Sequence, residues 1–591
     1  MNASGATHDS RLITKLFFRL LPVQIMLVMV GSVNGIVSSL FGSNFVGVTA
    51  MSAIGLYAPV QMFLTAMGNI LLGGSQLLCG RYMGRNLMER TQDVFTVDLL
   101  VSALVGGLVA VALALAAALD VTVIVSKDAA ERAILNRYIL GQVIGILPLL
   151  MGQQLSAFLS MENKGRRTTI ASVAYVASNL LLNVLFVVVL KLGAFGLALS
   201  SSLGLWVFFG VQAQMYLSGK TQLKLTLRGA KPGDMKDIVN VGLPNGMKDA
   251  YETLRGVIVN GLVLHYVGSA GLSAFAASDS VLRIFWAIPF GMLAVSRMLF
   301  GICIGEEDRQ SLADVMRVAI YRCIPIMCCV SAVIILCAEP FTRLFYRDPT
   351  FPVYQMTVNA FRILPICMPL SIISLHFTCY AQASGKKLLV QLLPALDGCV
   401  FVAGFSALLV PRIGMNGVYF ANIGNGIGCA VVILLYSAFH YKRLPRNMEE
   451  LMVIPEDFGA AEDMRLDITV RQIPEVLQVS QKVMDFMTER GVDRERAYFA
   501  GLCLEEMAGN VVEHGFHKDN KRHSVDIRVV LKDDIILRLR DDCQRFDPST
   551  RRDIVDPEDK AANFGIRLVY GIAKSVTYQN MLGMNVLTIR L

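Results

Sequence analysis

Residues 426–450 read GIGCAVVILLYSAFHYKRLPRNMEE, and the change of character inside this stretch decides how the chain is built. Through Tyr441 the run is apolar. Lys442, Arg443 and Arg446 close it, and Glu449 and Glu450 open a charged region of a different kind. Everything upstream reads as membrane protein. The 591 residues are 54% hydrophobic and only 17% charged, with a mean hydropathy of +0.54. A water-soluble surface on a chain of this size needs more charge than that.

A helix needs roughly 20 apolar residues to cross the hydrocarbon core, and by that rule about twelve spans are expected. They lie near 16–41, 46–76, 94–118, 136–160, 168–190, 195–217, 238–266, 272–302, 318–338, 358–381, 388–411 and 415–440. Residues 1–12 are a polar tail with no cleavable signal pattern. The net charge of +8 belongs to loops rather than to a nucleic-acid surface. Arg81, Arg85 and Arg90, then Lys164, Arg166 and Arg167, then Lys220, Lys224, Arg228, Lys231 and Lys236, then Lys386 and Lys387, then Lys442, Arg443 and Arg446 fall on alternate loops. The opposite set is poorer, with Lys127 and Arg132 in a 119–135 loop as a mild exception. The positive-inside rule then puts both termini in the cytoplasm. Among the 12 cysteines no spacing suggests a disulfide framework or zinc.

The membrane part repeats itself at a period of about 221 residues. Leu21-Pro22 answers to Leu243-Pro244, and Val46-Gly47 with Ser52-Ala53 to Val267-Gly268 with Ser273-Ala274. Gly80-x-x-x-Gly84 answers to Gly301-x-x-x-Gly305, Ile146-Leu147-Pro148 to Ile363-Leu364-Pro365, and Gly193-x-x-Gly196 to Gly414-x-x-Gly417. Gly165 and Gly385 are each followed by two basic residues. An even number of spans per repeat keeps the repeats parallel, so two six-helix bundles face each other across a cleft, a setting for alternating access.

On these motifs, residues 13–446 resemble the multidrug and toxin extrusion (MATE) family. The resemblance implies a multi-pass α-helical transporter, an efflux antiporter that couples a small-molecule substrate to Na⁺ or H⁺. Ionisable residues inside spans are expensive, so they are candidate sites. Lys248, Asp249, Glu252 and Arg255 crowd span 7, and Asp279 and Arg283 are spaced as an i, i+4 pair in span 8. The resemblance nominates Glu252, eight residues after Pro244, as the carboxylate for the coupling cation or cationic substrate. Neutralisation of these charges against one another, as Lys248–Glu252 and Asp279–Arg283, is the structural alternative. Span 1 holds Asn34 and no carboxylate, and span 10 holds His376 and no acid.

Beyond the join, 447–463 reads as an acidic linker. The expected elements are a strand at Met464–Val470, helices at about 474–490 and 493–515, and a hairpin at Ser524–Leu531 and Ile535–Arg540. An irregular stretch at 545–561, a helix at about 564–574 and strands near 575–580 and 584–591 follow. This is an α+β sandwich. The runs Glu505-Glu506-Met507-Ala508-Gly509-Asn510, Arg540-Asp541-Asp542-Cys543-Gln544-Arg545 and Asn563-Phe564-Gly565 resemble the GHKL ATPases, specifically anti-sigma-factor serine kinases. The resemblance implies ATP and Mg²⁺, with Glu506 as general base, Asn510 on Mg²⁺ beside the phosphates, Asp541 on the adenine amino group and Gly565 opening a helix toward phosphate. Three glycines of that pattern are replaced here, by Cys543, Arg545 and Asn563.

The expected division is a 1–12 tail, a 13–218 bundle, a 219–236 loop, a 237–446 bundle, a 447–463 linker and a 464–591 ATP-site domain. Two functions stay open: a transporter of the bacterial cytoplasmic membrane with a nucleotide-binding regulatory domain, or a transporter-derived receptor. The receptor would signal by serine phosphorylation to a partner resembling an anti-sigma antagonist or a sigma factor.

Overall fold

The protein is described by a computed structural model over residues 11–46, 48–124, 128–226, 229, 231–346, 348–516, 523–551 and 563–591. The first half contains α1 (Arg11–Phe41), α2 (Val48–Gly84), α3 (Met88–Ala118), α4 (Ala129–Met161), α5 (Gly165–Val189) and α6 (Gly193–Leu217). The second contains α7 (Pro232–Tyr266), α8 (Ser269–Gly305), α9 (Arg309–Leu336), α10 (Pro352–Ser384), α11 (Lys387–Ile413) and α12 (Met415–Tyr441). Eleven of these, among the described residues, are long and apolar enough to cross a membrane. The remaining rod, α7, is long enough but carries the cluster of charges noted above. The helices overrun the apolar runs at the basic ends: Arg81 and Arg90 are helical, and α4 takes in Arg132.

The repeat survives as geometry. Pro22 in α1 and Pro244 in α7 sit at matching places inside continuous helices. Pro148 is also absorbed into α4, whereas Pro365 breaks α10 with a tight turn at Leu364–Ile366. The halves meet through α2, which packs on α7 and α8, and through α1, which packs on α8. The glycine pairs explain how closely. A Cβ at Gly80 would lie 3.0 Å from the Gly301 Cα, and one at Gly84 would lie 2.4 Å from the Ile302 carbonyl oxygen. The two repeated Gly-x-x-x-Gly motifs therefore face each other, and small residues let the backbones touch.

The C-terminal domain has β1 (Arg465–Val470), α13 (Ile473–Glu489), α14 (Arg494–Asn510), β2 (Val525–Leu531), β3 (Ile535–Asp541), α15 (Phe564–Ile572), β4 (Ser575–Met581) and β5 (Met584–Arg590). One antiparallel sheet runs β1-β2-β3-β5-β4. Alternation sorts its faces: Leu537 and Leu539 join Val470, Val529, Ile589, Val483, Leu504 and Val569 in a core under the helices. Helix α14 ends at Asn510, five residues short of the expected end, and a wider π-type turn at Val511–Gly515 follows. Of the irregular 545–561 stretch, Pro548–Arg551 form a short turn, and 552–561 lie outside the described residues.

The expected acidic linker is folded and tied down. A short helix at Met448–Leu451 accepts a hydrogen bond at its Glu450 carbonyl from Ser437 Oγ, 2.8 Å away, and Arg309 Nε donates to Glu449 at 2.5 Å. Lys386 Nζ donates to the Val453 carbonyl at 2.6 Å.

Candidate functional site

Three groupings of polar side chains stand out. The first lies between α7, α11 and α2. Lys248 Nζ is 3.1 Å from Asp397 Oδ2 on α11 and 3.9 Å from Glu252 Oε1. Asp397 sits in a π-type turn at Leu396–Val400 and also accepts from Asn425 Nδ2 of α12 at 2.9 Å. Gly398 allows the close approach: a Cβ there would come 2.8 Å from the Tyr251 Cβ of α7. Asp249 points the other way and accepts from Asn69 Nδ2 of α2 at 2.9 Å, across the line between the halves. Glu252 is half-buried, its contact with Lys248 weaker than Asp397's. Asp279 and Arg283 pair at 2.7 Å near the protein surface, apart from this group. Asn34 lies in α1, with its side chain outside the described residues. His376 is buried and bonded through Nδ1 to the Ile372 carbonyl of its own helix at 2.7 Å.

Sequence reasoning missed Asp397, Asn425 and Asn69. Asp397 was findable: it is an acid inside span 11, and the rule that flagged span 7 applies to it equally.

The second grouping is the ATP-site pattern. Asp541 ends β3 and is buried; Asn585 Nδ2 donates to its Oδ1 at 2.8 Å and the Cys543 amide at 2.9 Å. Both bonds end on Oδ1, so Oδ2 takes neither. Burial pushes the Asp541 carboxyl above the usual carboxylate range, and the Asn585 bond only partly offsets this. Glu506 and Asn510, both partly buried, lie one turn apart on α14. Glu506 packs on the start of α15, where a Cβ at Gly565 would overlap its Oε2. Asn563, where the family pattern has glycine, takes the left-handed conformation at φ 59° and caps α15. Asparagine is one of the few residues that adopts this conformation readily. Asp541 and Asn585 thus meet at the end of β3, and Glu506 lies against the start of α15. Residues 517–522 and 552–562, which flank these residues in sequence, lie outside the described residues.

The third grouping was not anticipated. The second face of the sheet is buried against the membrane helices. Arg540 bonds Asp308 Oδ2 at 2.8 Å, Ser311 Oγ at 3.1 Å and the Glu306 carboxylate. Arg528 bonds Asp308 and, at 2.5 Å, Asp467 Oδ1; Arg538 lies 3.6 Å from Glu306. Glu306 and Asp308 lie in the turn between α8 and α9, next to the Gly80–Gly301 contact, and Asp467 lies on β1. Lys532–Glu307 at 3.2 Å and Arg465–Gln310 at 3.0 Å extend the patch. The same domain also holds the first half. Lys15 of α1 pairs with Asp542, Arg19 donates to the Leu582 carbonyl, the Leu582 amide donates to the Met161 carbonyl at 3.0 Å, and Asn86 Nδ2 donates to Thr577 Oγ1 at 2.8 Å. Met581, Leu582, Met584 and Val586 fill the space between, sharing a core with Leu12, Leu299 and Ile302.

Electrostatics fit this burial. Burial alone would raise Asp308, but Arg528 outweighs it and holds the carboxyl below its usual range. Burial lowers Arg538 to about 10, still charged at neutral pH. Desolvation opposes Asp542 too, yet Lys15 and His523 bring it below the usual range. The signal for this surface was legible in part: β3 alternates Leu537, Arg538, Leu539, Arg540, but alternation cannot separate a solvated face from a docked one.

Comparison with known proteins fits both parts. Residues 22–186 and 244–392 match the MatE family model, more than half of the chain, and residues 469–591 match the model described as a histidine kinase-like ATPase domain. No curated protein matches the chain. Among solved structures, an outward-facing multidrug resistance MATE transporter of the MOP superfamily is 20% identical with a TM-score of 0.68, covering 75% of this chain and 99% of its own. A MATE protein solved in complex with MaL6 is 21% identical, with a TM-score of 0.68 over the same shares. A MOP superfamily transporter from Pyrococcus furiosus Vc1, described as having a binding pocket of reversed polarity, is 20% identical with a TM-score of 0.67, again over 75% and 99%. The chain belongs to the MatE family, and carries a histidine kinase-like ATPase domain after its membrane helices.

Proposed function

We propose that this protein is a cation-coupled secondary transporter of a bacterial cytoplasmic membrane, and that its C-terminal domain holds the cytoplasmic face shut. The observation that carries the reading is that one sheet grips both halves over the glycine contact where they meet. A transporter that alternates must part its halves on one side and then the other. A domain bonded to α1 and α4 on one half and to the α8–α9 turn on the other opposes parting on its own side. Basic loops place that side, and both termini, in the cytoplasm.

The substrate is a small molecule exchanged against Na⁺ or H⁺, with Glu252 and Asp249 as the acids of the cleft. Nucleotide is the natural release signal. Asp541, the adenine-facing acid in this reading, adjoins Asp542, the acid that holds Lys15. ATP·Mg²⁺ on Asp541 and Asn510 would shift Asp542 and loosen one side of the grip. Glu506, placed as a general base, also leaves room for phosphotransfer to a serine of a partner resembling an anti-sigma antagonist.

The test is gradient-driven flux in proteoliposomes, comparing the full chain with Arg540→Glu. Release of the grip should raise flux several-fold. Equal flux in both would refute the grip. A second reading, a receptor that moves no substrate, draws on the pairing of Lys248 with Asp397, which leaves the cleft less acidic than an organic-cation site requires. No flux in any variant, with partner phosphorylation that responds to a ligand, would favour it.

A further inference from the structure

Asp98 on α3 is fully buried within the first half, and among the described residues the Ser75 hydroxyl of α2 is the one group that offers its carboxyl a hydrogen bond. Around it lie neutral groups. The Ser75 hydroxyl on α2 also lies 3.3 Å from the Leu72 carbonyl of its own helix, and Cys79, one turn on, faces the Thr91 carbonyl at 3.9 Å. One turn along α3, the buried Ser102 hydroxyl has no partner among the described residues, nor has the Tyr216 hydroxyl of α6, whose ring stacks on Phe95 at 5.2 Å.

Among the described residues no cation pairs with Asp98. Arg90 at the start of α3 is held by Asp93 at 3.2 Å and by Asp234 of α7 at 2.7 Å. Glu162, at the end of α4, is itself paired with Lys164 at 2.9 Å and bound by the amides of Gln222 and Leu223. The Cys79 thiol interacts with Asp98, and Tyr216 in turn with Cys79. An ionised carboxylate sealed from water with a single hydroxyl beside it costs far more than a neutral one.

Helix α2 connects this acid to the contact between the halves. Ser75 and Cys79 lie on its side toward α3, and Gly80 and Gly84, toward the other side, form the contact with α8. The helix that forms the contact between the halves thus also covers Asp98.

We propose that Asp98 is a proton-binding site: its carboxyl is neutral while the α2–α8 contact is closed, and its O–H bond breaks, with the proton passing to water, when that contact opens. This rests on the transporter reading for its role in coupling, but the binding itself does not.

Infrared difference spectroscopy on the full-length protein in lipid is the test. At neutral pH the C=O stretch of a protonated carboxyl should be present and should vanish in Asp98→Asn, an isosteric mimic that keeps the melting temperature. Opening the contact with Gly301→Leu should convert the band to a carboxylate signal. No band lost in Asp98→Asn overturns the site, and so does a band that responds to Na⁺ but not to pH. In proteoliposomes, Asp98→Asn should cut pH-gradient-driven flux at least tenfold, with Asp98→Glu retaining it. Wild-type flux in Asp98→Asn overturns the coupling role. A wild-type protein that moves nothing but shows the band refutes the transporter reading alone.

Discussion

At the residue scale, two acids near Lys248 should behave differently. Asp397 neutralises Lys248 at 3.1 Å, with Asn425 on its other side. Asp397→Asn leaves the lysine poorly paired and should cost about 3–5 kcal/mol, read as a large drop in melting temperature. Glu252 contributes little to that pairing, so Glu252→Gln should leave the melt unchanged and abolish gradient-driven flux; unchanged flux would leave Glu252 without a transport role. In the ATP-site domain, Asp541→Asn should weaken ATP binding about tenfold or more, because a hydrogen bond to a charged group is worth ~1.5–3 kcal/mol. Calorimetry on the whole protein reads this, and no heat with wild type at millimolar ATP would point to a protein-docking domain instead. Glu252 could be nominated from the sequence because a charge in an apolar run stands out. Its weak share in the Lys248 pairing could not, since the competing acid comes from a helix about 145 residues away.

At the element scale, the sheet's docked face is the feature to challenge. Asp308 is bonded by both Arg528 and Arg540, so Asp308→Ala removes one of the carboxylate partners of each of two buried guanidiniums and should weaken docking by about 3–5 kcal/mol. Cys303 lies under the sheet beside Met581 and Val586. Its alkylation, followed by site-resolved mass spectrometry, should rise sharply in the variant. The pH response has a definite sign. Asp308 is held below its ordinary value, so its contribution to docking is present above about 3.9 and lost as pH falls through its depressed value. Cys303 protection should therefore stay flat from pH 8 to pH 5 and fail only in stronger acid. Strand and helix boundaries in this domain were legible to within a few residues because period-2 and period-3.6 patterns are local. The end of α14 was not, because a π-type turn at Val511 satisfies the same composition as a continued helix.

At the scale of the whole molecule, the basic loops and the docked domain make one joint prediction. A reporter fused after Leu591 should be active in the cytoplasm; activity only outside the cell would invert the topology and place the grip on the other face. The two repeated Gly-x-x-x-Gly motifs make another: Gly301→Leu should pry α2 from α8 and disturb the sheet resting on the adjoining Glu306–Asp308 turn, so Cys303 should become reactive even with the arginine cluster intact.

Hydropathy, the repeat and the loop charges are properties of short windows or of fixed offsets, so the sequence by itself determined the two-bundle membrane plan, the join near Arg446 and the sandwich that follows. What those windows cannot hold is which surfaces meet. The partner of Lys248, the mutual contact of the two glycine motifs and the burial of Arg528, Arg538 and Arg540 against Glu306 and Asp308 join residues up to about 230 positions apart. An arginine reads the same in a sequence whether water or a distant carboxylate satisfies it. Only the folded chain, by excluding the water, decided between them.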